Sequence, residues 1–211
     1  VAALLSALDS PHENVRAHTA ERLASLGIDA AIPKLIQLLK DETVYLYDAY
    51  EIHSRPVSHA ARDALLCFGH TALPALIQAS QDDPVPKIRT STVKLLGELA
   101  SKVRFNVDDY PRMTGQIQNN ANDANLEALM PILPVFARAL QDTEGMFETG
   151  QCPASEAVEA FRHILKPALR VILGTREVEP FRFPALERFQ ALAAETLLTG
   201  LTNPAALVRG L

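Results

Sequence analysis

The residues able to do chemistry in this chain are six histidines, two cysteines and twenty-five carboxylates. Their spacing decides what they can do. His53 and His59, with Glu51 and Asp63 near them in sequence, have the donor types that suit zinc or a similar ion. The intervals between them match no recognised ligand geometry, so we expect no metal site and no cofactor. A cysteine nucleophile needs a base to form its thiolate. Cys67 falls next to the apolar stripe of a helix and is expected to be inert, whereas Cys152 falls in a loop and is expected to be the more exposed; neither has a histidine adjacent in sequence. The nine glycines are dispersed, with no GxGxxG or GxxxxGK[ST] phosphate loop. No catalytic constellation emerges.

The elements that must position these residues are repeats. Val15–Gly27 (VRAHTAERLASLG), Val57–Gly69 (VSHAARDALLCFG) and Ile88–Ala100 (IRTSTVKLLGELA) align without a gap. They share a β-branched opener (Val15, Val57, Ile88) and a small fifth residue (Thr19, Ala61, Thr92). Leu23, Leu65 and Leu96 stand at the ninth position, and a large apolar residue (Leu26, Phe68, Leu99) at the twelfth. That interval places one stripe on an α-helix. Gly27 and Gly69 stand where a helix must end, as expected of a residue in the left-handed region. A second kind of helix precedes each copy, marked by proline in its first turn, where a missing N–H costs nothing: Pro33, Pro74 and Pro134. Asp9-Ser10-Pro11 and Asp82-Asp83-Pro84 read as the turns between the two helix types.

This repeated helix A, turn, helix B unit resembles the HEAT repeat family, most closely the short bacterial subtype found in phycobilisome lyase subunits. The residues that carry the resemblance are Val15-Arg16, Val57-Ser58 and Ile88-Arg89 on the B helices and the A-helix prolines. It covers residues 1–100 well; Ser58 departs from the Arg of the other two copies. The resemblance implies an all-α fold, a right-handed α-α superhelix of about five helix pairs forming one solenoid domain over 1–211. Stacked pairs bury a stripe that no single pair can bury alone. Beyond residue 100 we expect a long loop over about 103–125, a fourth pair with helix A at about 126–141 and helix B at about 154–165, and a fifth with helix A over 167–173 and helix B over 184–200. A short terminal helix is expected after Asn203-Pro204. The apolar opening VAALLSAL lacks the polar outer face of a capping repeat, which suggests that the natural N-terminus lies upstream.

The repeats differ most in the connection from helix A to helix B. Leu8 to Val15 is seven residues, Leu39 to Val57 eighteen. The longer connection holds Tyr45, Tyr47 and Tyr50, three of the four tyrosines, among acidic residues. Residues 142–153 and 174–184 extend the same junction in later repeats. Aromatics with polar tips anchor interfaces, and insertions at equivalent junctions of stacked repeats share one edge. Tyr45, Tyr47, Tyr50 and His53 are therefore candidates for a partner-binding edge; the competing expectation is that the tyrosines pack back onto their own repeat. Arg16, Arg22, Arg62, Arg89 and Lys94, on B helices that line the concave face in this family, are the second candidate surface. Solvated helix faces and structural Arg–Asp contacts between repeats are the competing roles. His59, on the second B helix, is a further binding candidate.

Net charge −5 and the absence of tryptophan make nucleic acid an improbable partner, because phosphate neutralisation needs a basic stripe. No apolar run is long enough for a membrane helix. Two enzyme activities known on related folds are set aside. The di-iron deoxyhypusine hydroxylases use repeated His-Glu pairs, and here the single pair, His12-Glu13, precedes its helix opener. The fold-related alkyl-base glycosylases need a basic cleft. The expectation is a cytoplasmic, non-catalytic scaffold or adaptor that binds another protein. The alternative implied by the repeat subtype is a bilin lyase-like or chaperone-like subunit acting on a chromophore protein.

Overall fold

The computed structural model describes residues 1–46, 54–102, 130–144, 151–162 and 184–201. Apart from one short ribbon, these residues form helices and turns. In chain order they are α1 (Ala2–Ala7), α2 (Glu13–Ser25), α3 (Ile32–Leu38), β1 (Val44–Leu46), β2 (Ser54–Pro56), α4 (Val57–Phe68), α5 (Leu73–Asp82), α6 (Pro86–Lys102), α7 (Ile132–Ala139), α8 (153–162) and α9 (Pro184–Leu201). The chain divides into two compact units, Val1–Leu95 and Leu96–Leu211.

In the first unit α2 lies along α4, and α3 packs on α4 and α5. The stripe positions behave as the pattern demands: Leu23, Val57, Leu65 and Ile88 have no exposed surface, and the small fifth residues are buried too. Thr92 satisfies its hydroxyl by donating to the carbonyls of Ile88 and Arg89, both at 2.9 Å. Two stripe positions depart from expectation. Val15 and Leu26, at the ends of α2, are 41% and 51% exposed. The helix before them, α1, has six residues and buries none of them, so it offers little cover.

The turns follow from named residues. Gly27 has φ +63° and its N–H donates to Ala24, while Ile28 donates to Leu23. These are the two bonds of a Schellman close. Gly69 likewise has φ +55°. Each of these glycines leads into a single 3₁₀ turn and then a proline-started helix A.

One device ends helix A in four repeats. The Ser10 hydroxyl accepts the His12 N–H, and Oδ1 of Asp41, Asp83 and Asp142 accepts the N–H of Thr43, Val85 and Glu144, at 2.9–3.2 Å. A side-chain oxygen that bonds the amide two residues on mimics a backbone turn and competes with helix continuation.

In the second unit α7 and α8 meet through Phe136 and Phe161, both fully buried and edge to face with centroids 5.6 Å apart. Ala157, Ala160 and Phe161 of α8 are buried at helical spacing. Helix B of the fifth pair is present as α9, which packs on α7. The expected loop over 103–125, helix A over 167–173 and the terminal helix lie outside the described residues, as do 126–129 and 163–165. The two cysteines reverse their expected roles: Cys67 is exposed and Cys152 fully buried. Cys67 sits two residues past Leu65, about 200° around the helix and so off the stripe. Cys152 is turned inward as the cap of α8: its N–H donates to Ser155 Oγ at 3.0 Å, and the Ser155 N–H points back to Cys152 Sγ at 3.5 Å.

Candidate functional site

The eighteen-residue connection returns on itself as an antiparallel ribbon pairing Val44 with Pro56, Tyr45 with Arg55 and Leu46 with Ser54. Strand alternation sends neighbouring side chains to opposite faces. Val44 is 55% exposed, whereas Tyr45 is 1% exposed and packs with Ala17 of α2 and with Val57 and Ala60 of α4. The largest aromatic side chain of the described insertion is thus a plug between two B helices. His18 of α2 meets its ring edge-on at 5.8 Å.

The Tyr45 hydroxyl could not be buried unpaired without a cost of about 1–3 kcal/mol. It donates to Glu21 Oε1 of α2 at 3.1 Å and accepts from Arg55 Nε at 2.7 Å. Arg55, directly across the ribbon, uses its planar fork fully: one terminal nitrogen reaches Asp63 Oδ2 of α4 at 2.9 Å, the other Glu21 Oε1 at 3.1 Å. Arg62 adds a bond to the second oxygen of Asp63 at 3.2 Å. Burial pushes the Tyr45 phenol above its usual range, and Glu21 adds to this while Arg55 opposes it. For Arg55, burial disfavours the charged form, yet the bonds it donates to Tyr45 and Asp63 outweigh this and hold the guanidinium above its usual value. Among the described residues, the carboxylates of Glu21 and Asp63 face the guanidiniums of Arg55 and Arg62. The cluster's chemistry is that of a clamp on the ribbon.

A second polar centre lies at the ribbon's base. Arg16 Nε donates to Asp41 Oδ2 at 2.7 Å, and the other nitrogens donate to the Ser10 carbonyl at 2.8 Å and Thr43 Oγ1 at 2.6 Å. Desolvation raises the Asp41 carboxyl, but the hydrogen bonds from Arg16 and Thr43 prevail and hold it below its ordinary value of 3.8. A groove of about 540 Å3 runs beside this pair, lined by Leu8, Asp9, Lys34, Gln37, Leu38 and Lys40 as well as Arg16 and Asp41. Lys34 in that groove is engaged by Asp9 and by the Leu5 carbonyl.

The sequence candidates therefore separate. Tyr45 is a buried anchor, correcting its expected place on the exposed binding edge and following the competing expectation that a tyrosine packs onto its own repeat. Arg16 bonds Asp41 and the turn, and Arg89 donates to the Asp83 carbonyl at 2.9 Å. Arg62 pairs with Asp63. His59 is exposed on α4. Tyr47, Tyr50 and His53 lie outside the described residues. The sequence reading missed Arg55 and Glu21. Arg55 had a signal, since a ribbon register would have set it opposite Tyr45, but the insertion's continuous run of apolar residues hid the strand period. Among the described residues no group of three His, Cys, Asp or Glu side chains could hold a metal ion, and no helix is long and apolar enough to cross a membrane.

Residues 72–103, which take in α5 and α6, match the HEAT repeat family model. That segment carries the HEAT repeat pattern. Around it the described residues are almost entirely helical, in alternating helix A and helix B units. Among solved structures, the chain is similar to the complex of CpcE and CpcF of phycocyanin lyase from Nostoc sp. PCC7120, at 16% identity and a TM-score of 0.29, over 98% of this chain and 91% of that one. No curated protein matches.

Proposed function

We propose that this HEAT-like protein is a non-catalytic scaffold or adaptor that binds another protein through its longest A-to-B insertion and the adjoining exposed face of α2 and α4. The observation that supports this most is the investment in the ribbon base. Ordering a long loop costs about 1–2 kcal/mol per residue in backbone entropy. Here a buried tyrosine and a fully engaged arginine fix both strands, while the residues joining them, 47–53, include Tyr47, Tyr50 and His53. Long connections in compact folds are usually functional or disordered, and this one has an anchored base. On the adjoining helices His18, Arg22 and His59 are exposed, and aromatic and arginine side chains are the usual carriers of binding energy.

The test is affinity capture with mass spectrometry, comparing the natural chain with a Tyr47→Ala/Tyr50→Ala variant of unchanged helicity. Partners lost from the variant support the insertion as the binding element, and an identical partner set overturns it. A bilin lyase-like or chaperone-like role on a chromophore protein is supported by the repeat subtype alone. Incubation with a linear tetrapyrrole separates the two: a shifted visible band favours the lyase-like role, an unchanged spectrum the scaffold.

A further inference from the structure

One backbone carbonyl, on the residue whose side chain closes helix A, is satisfied in two different ways. In the first and third repeats, whose connections are short, it accepts from the arginine that follows the helix B opener. Arg16 reaches the Ser10 carbonyl at 2.8 Å, and Arg89 the Asp83 carbonyl at 2.9 Å. The separation is six residues both times. In the second and fourth repeats, which carry insertions, the equivalent carbonyl accepts a backbone N–H from the first turn of helix B itself. Ser58 donates to Asp41 at 2.9 Å and Ala154 to Asp142 at 3.0 Å. Ser58 and Ala154 stand where the other repeats have arginine: in each, the residue three further on is the small buried one (Ala61, Ala157) and the residue seven further on the large buried one (Leu65, Phe161).

We propose that this junction works by donor exchange: a short connection requires the arginine, and an insertion replaces it with a helix B amide, closing the loop at its own base. The exchange accounts for both departures from the arginine pattern. Once the insertion brings helix B's first amides onto the helix A carbonyl, that acceptor is satisfied without a guanidinium. Ser58 is also buried, so a long cation at that position would be desolvated without a partner. The Val57 N–H, bonded to the Thr43 carbonyl at 2.9 Å, adds a second rung to the closure. The residues between the two ribbon strands are therefore a closed excursion, and the helix pair does not depend on their length.

The test is a sign reversal. Ser58→Arg is measured in the full chain and in a chain whose residues 42–56 are replaced by Pro-His-Glu-Asn, the connection found at 11–14. The substitution is expected to lower Tm in the full chain and to raise it in the shortened one, by roughly 2–4 °C each way. The same sign in both backgrounds overturns the proposal; if the shortened chain fails to fold because it lacks the Tyr45 plug, amide exchange decides. Amide exchange on the unaltered protein gives a second reading. First-turn helix amides ordinarily lack an intrahelical acceptor, but the Ser58 and Ala154 amides are expected to be protected at least tenfold more than the Glu13 amide in the first turn of α2. Equal exchange overturns the closure.

Discussion

At the scale of single residues, Tyr45 and Asp41 do the most. Tyr45→Phe keeps the plug and removes the hydroxyl, leaving Arg55 Nε and one Glu21 contact unanswered; we expect a loss of about 1 kcal/mol in chemical denaturation. Tyr45→Ala empties the space between α2 and α4 and should cost about 3–5 kcal/mol. Equal losses from the two would show that the ring is not the anchor. Asp41 sets an acid limit. Its folded carboxyl lies below its value in the unfolded chain, so the unfolded state binds the extra proton. The stabilisation is present above pH 3.8 and is lost as pH falls through the depressed folded value. Tyr45 has the opposite linkage, because its phenol is raised above the ordinary 10.0 and its contribution fades only in strong alkali. Asp41→Asn retains an oxygen for the turn but forfeits the charge-assisted bond to Arg16. It should cost about 1.5–3 kcal/mol near neutrality and progressively less as pH falls below 3.8; a pH-independent penalty would rule out the ionic role.

Among elements, α6 and α8 meet closely enough to forbid a methyl group. A Cβ on Gly97 would stand 2.8 Å from the Ala160 Cβ, which is fixed to a helix backbone and cannot rotate away. Gly97→Ala should therefore destabilise by about 1–3 kcal/mol, against the gain of up to about 1 kcal/mol expected for glycine to alanine in an open helix. A rise in Tm would show that the two helices can part freely. These elements also show what a sequence can and cannot announce. The helices were legible because stripe positions, first-turn prolines and Gly27 and Gly69 each encode geometry locally. The serine and aspartate turns were half legible: their residue types stood out in Asp9-Ser10-Pro11 and Asp82-Asp83-Pro84, but not in the inserted repeats. The ribbon was hidden, since Val44, Tyr45, Leu46 and Tyr47 present no polar alternation. Tyr45's burial follows from tertiary packing against Ala17 and Ala60, whose small size leaves the room. Cys152 was misread for the same reason, as loop position suggested exposure while its bonds to Ser155 draw it under α8.

For the molecule as a whole, charge is the property that the sequence settles best. There are 25 acidic residues against 20 basic, and Arg16, Arg55 and Arg62 are each engaged by a carboxylate. Filter binding of duplex DNA at low ionic strength should show no retention above background. Retention that falls steeply with added salt would reverse that reading. Arg16, Arg62 and Arg89 each hydrogen-bond within the fold, whereas His59 is exposed on α4.

The closed base of the second connection bears on how such a protein can diversify. Once the ends of a loop are tied by bonds belonging to the scaffold, added length is charged only for chain closure, about 0.6 kcal/mol for each doubling. Residues between Leu46 and Ser54 can then be lengthened, shortened or rewritten at little cost to the helices beneath. Selection for a new partner could act on that segment while Arg55 and Tyr45 keep the frame intact.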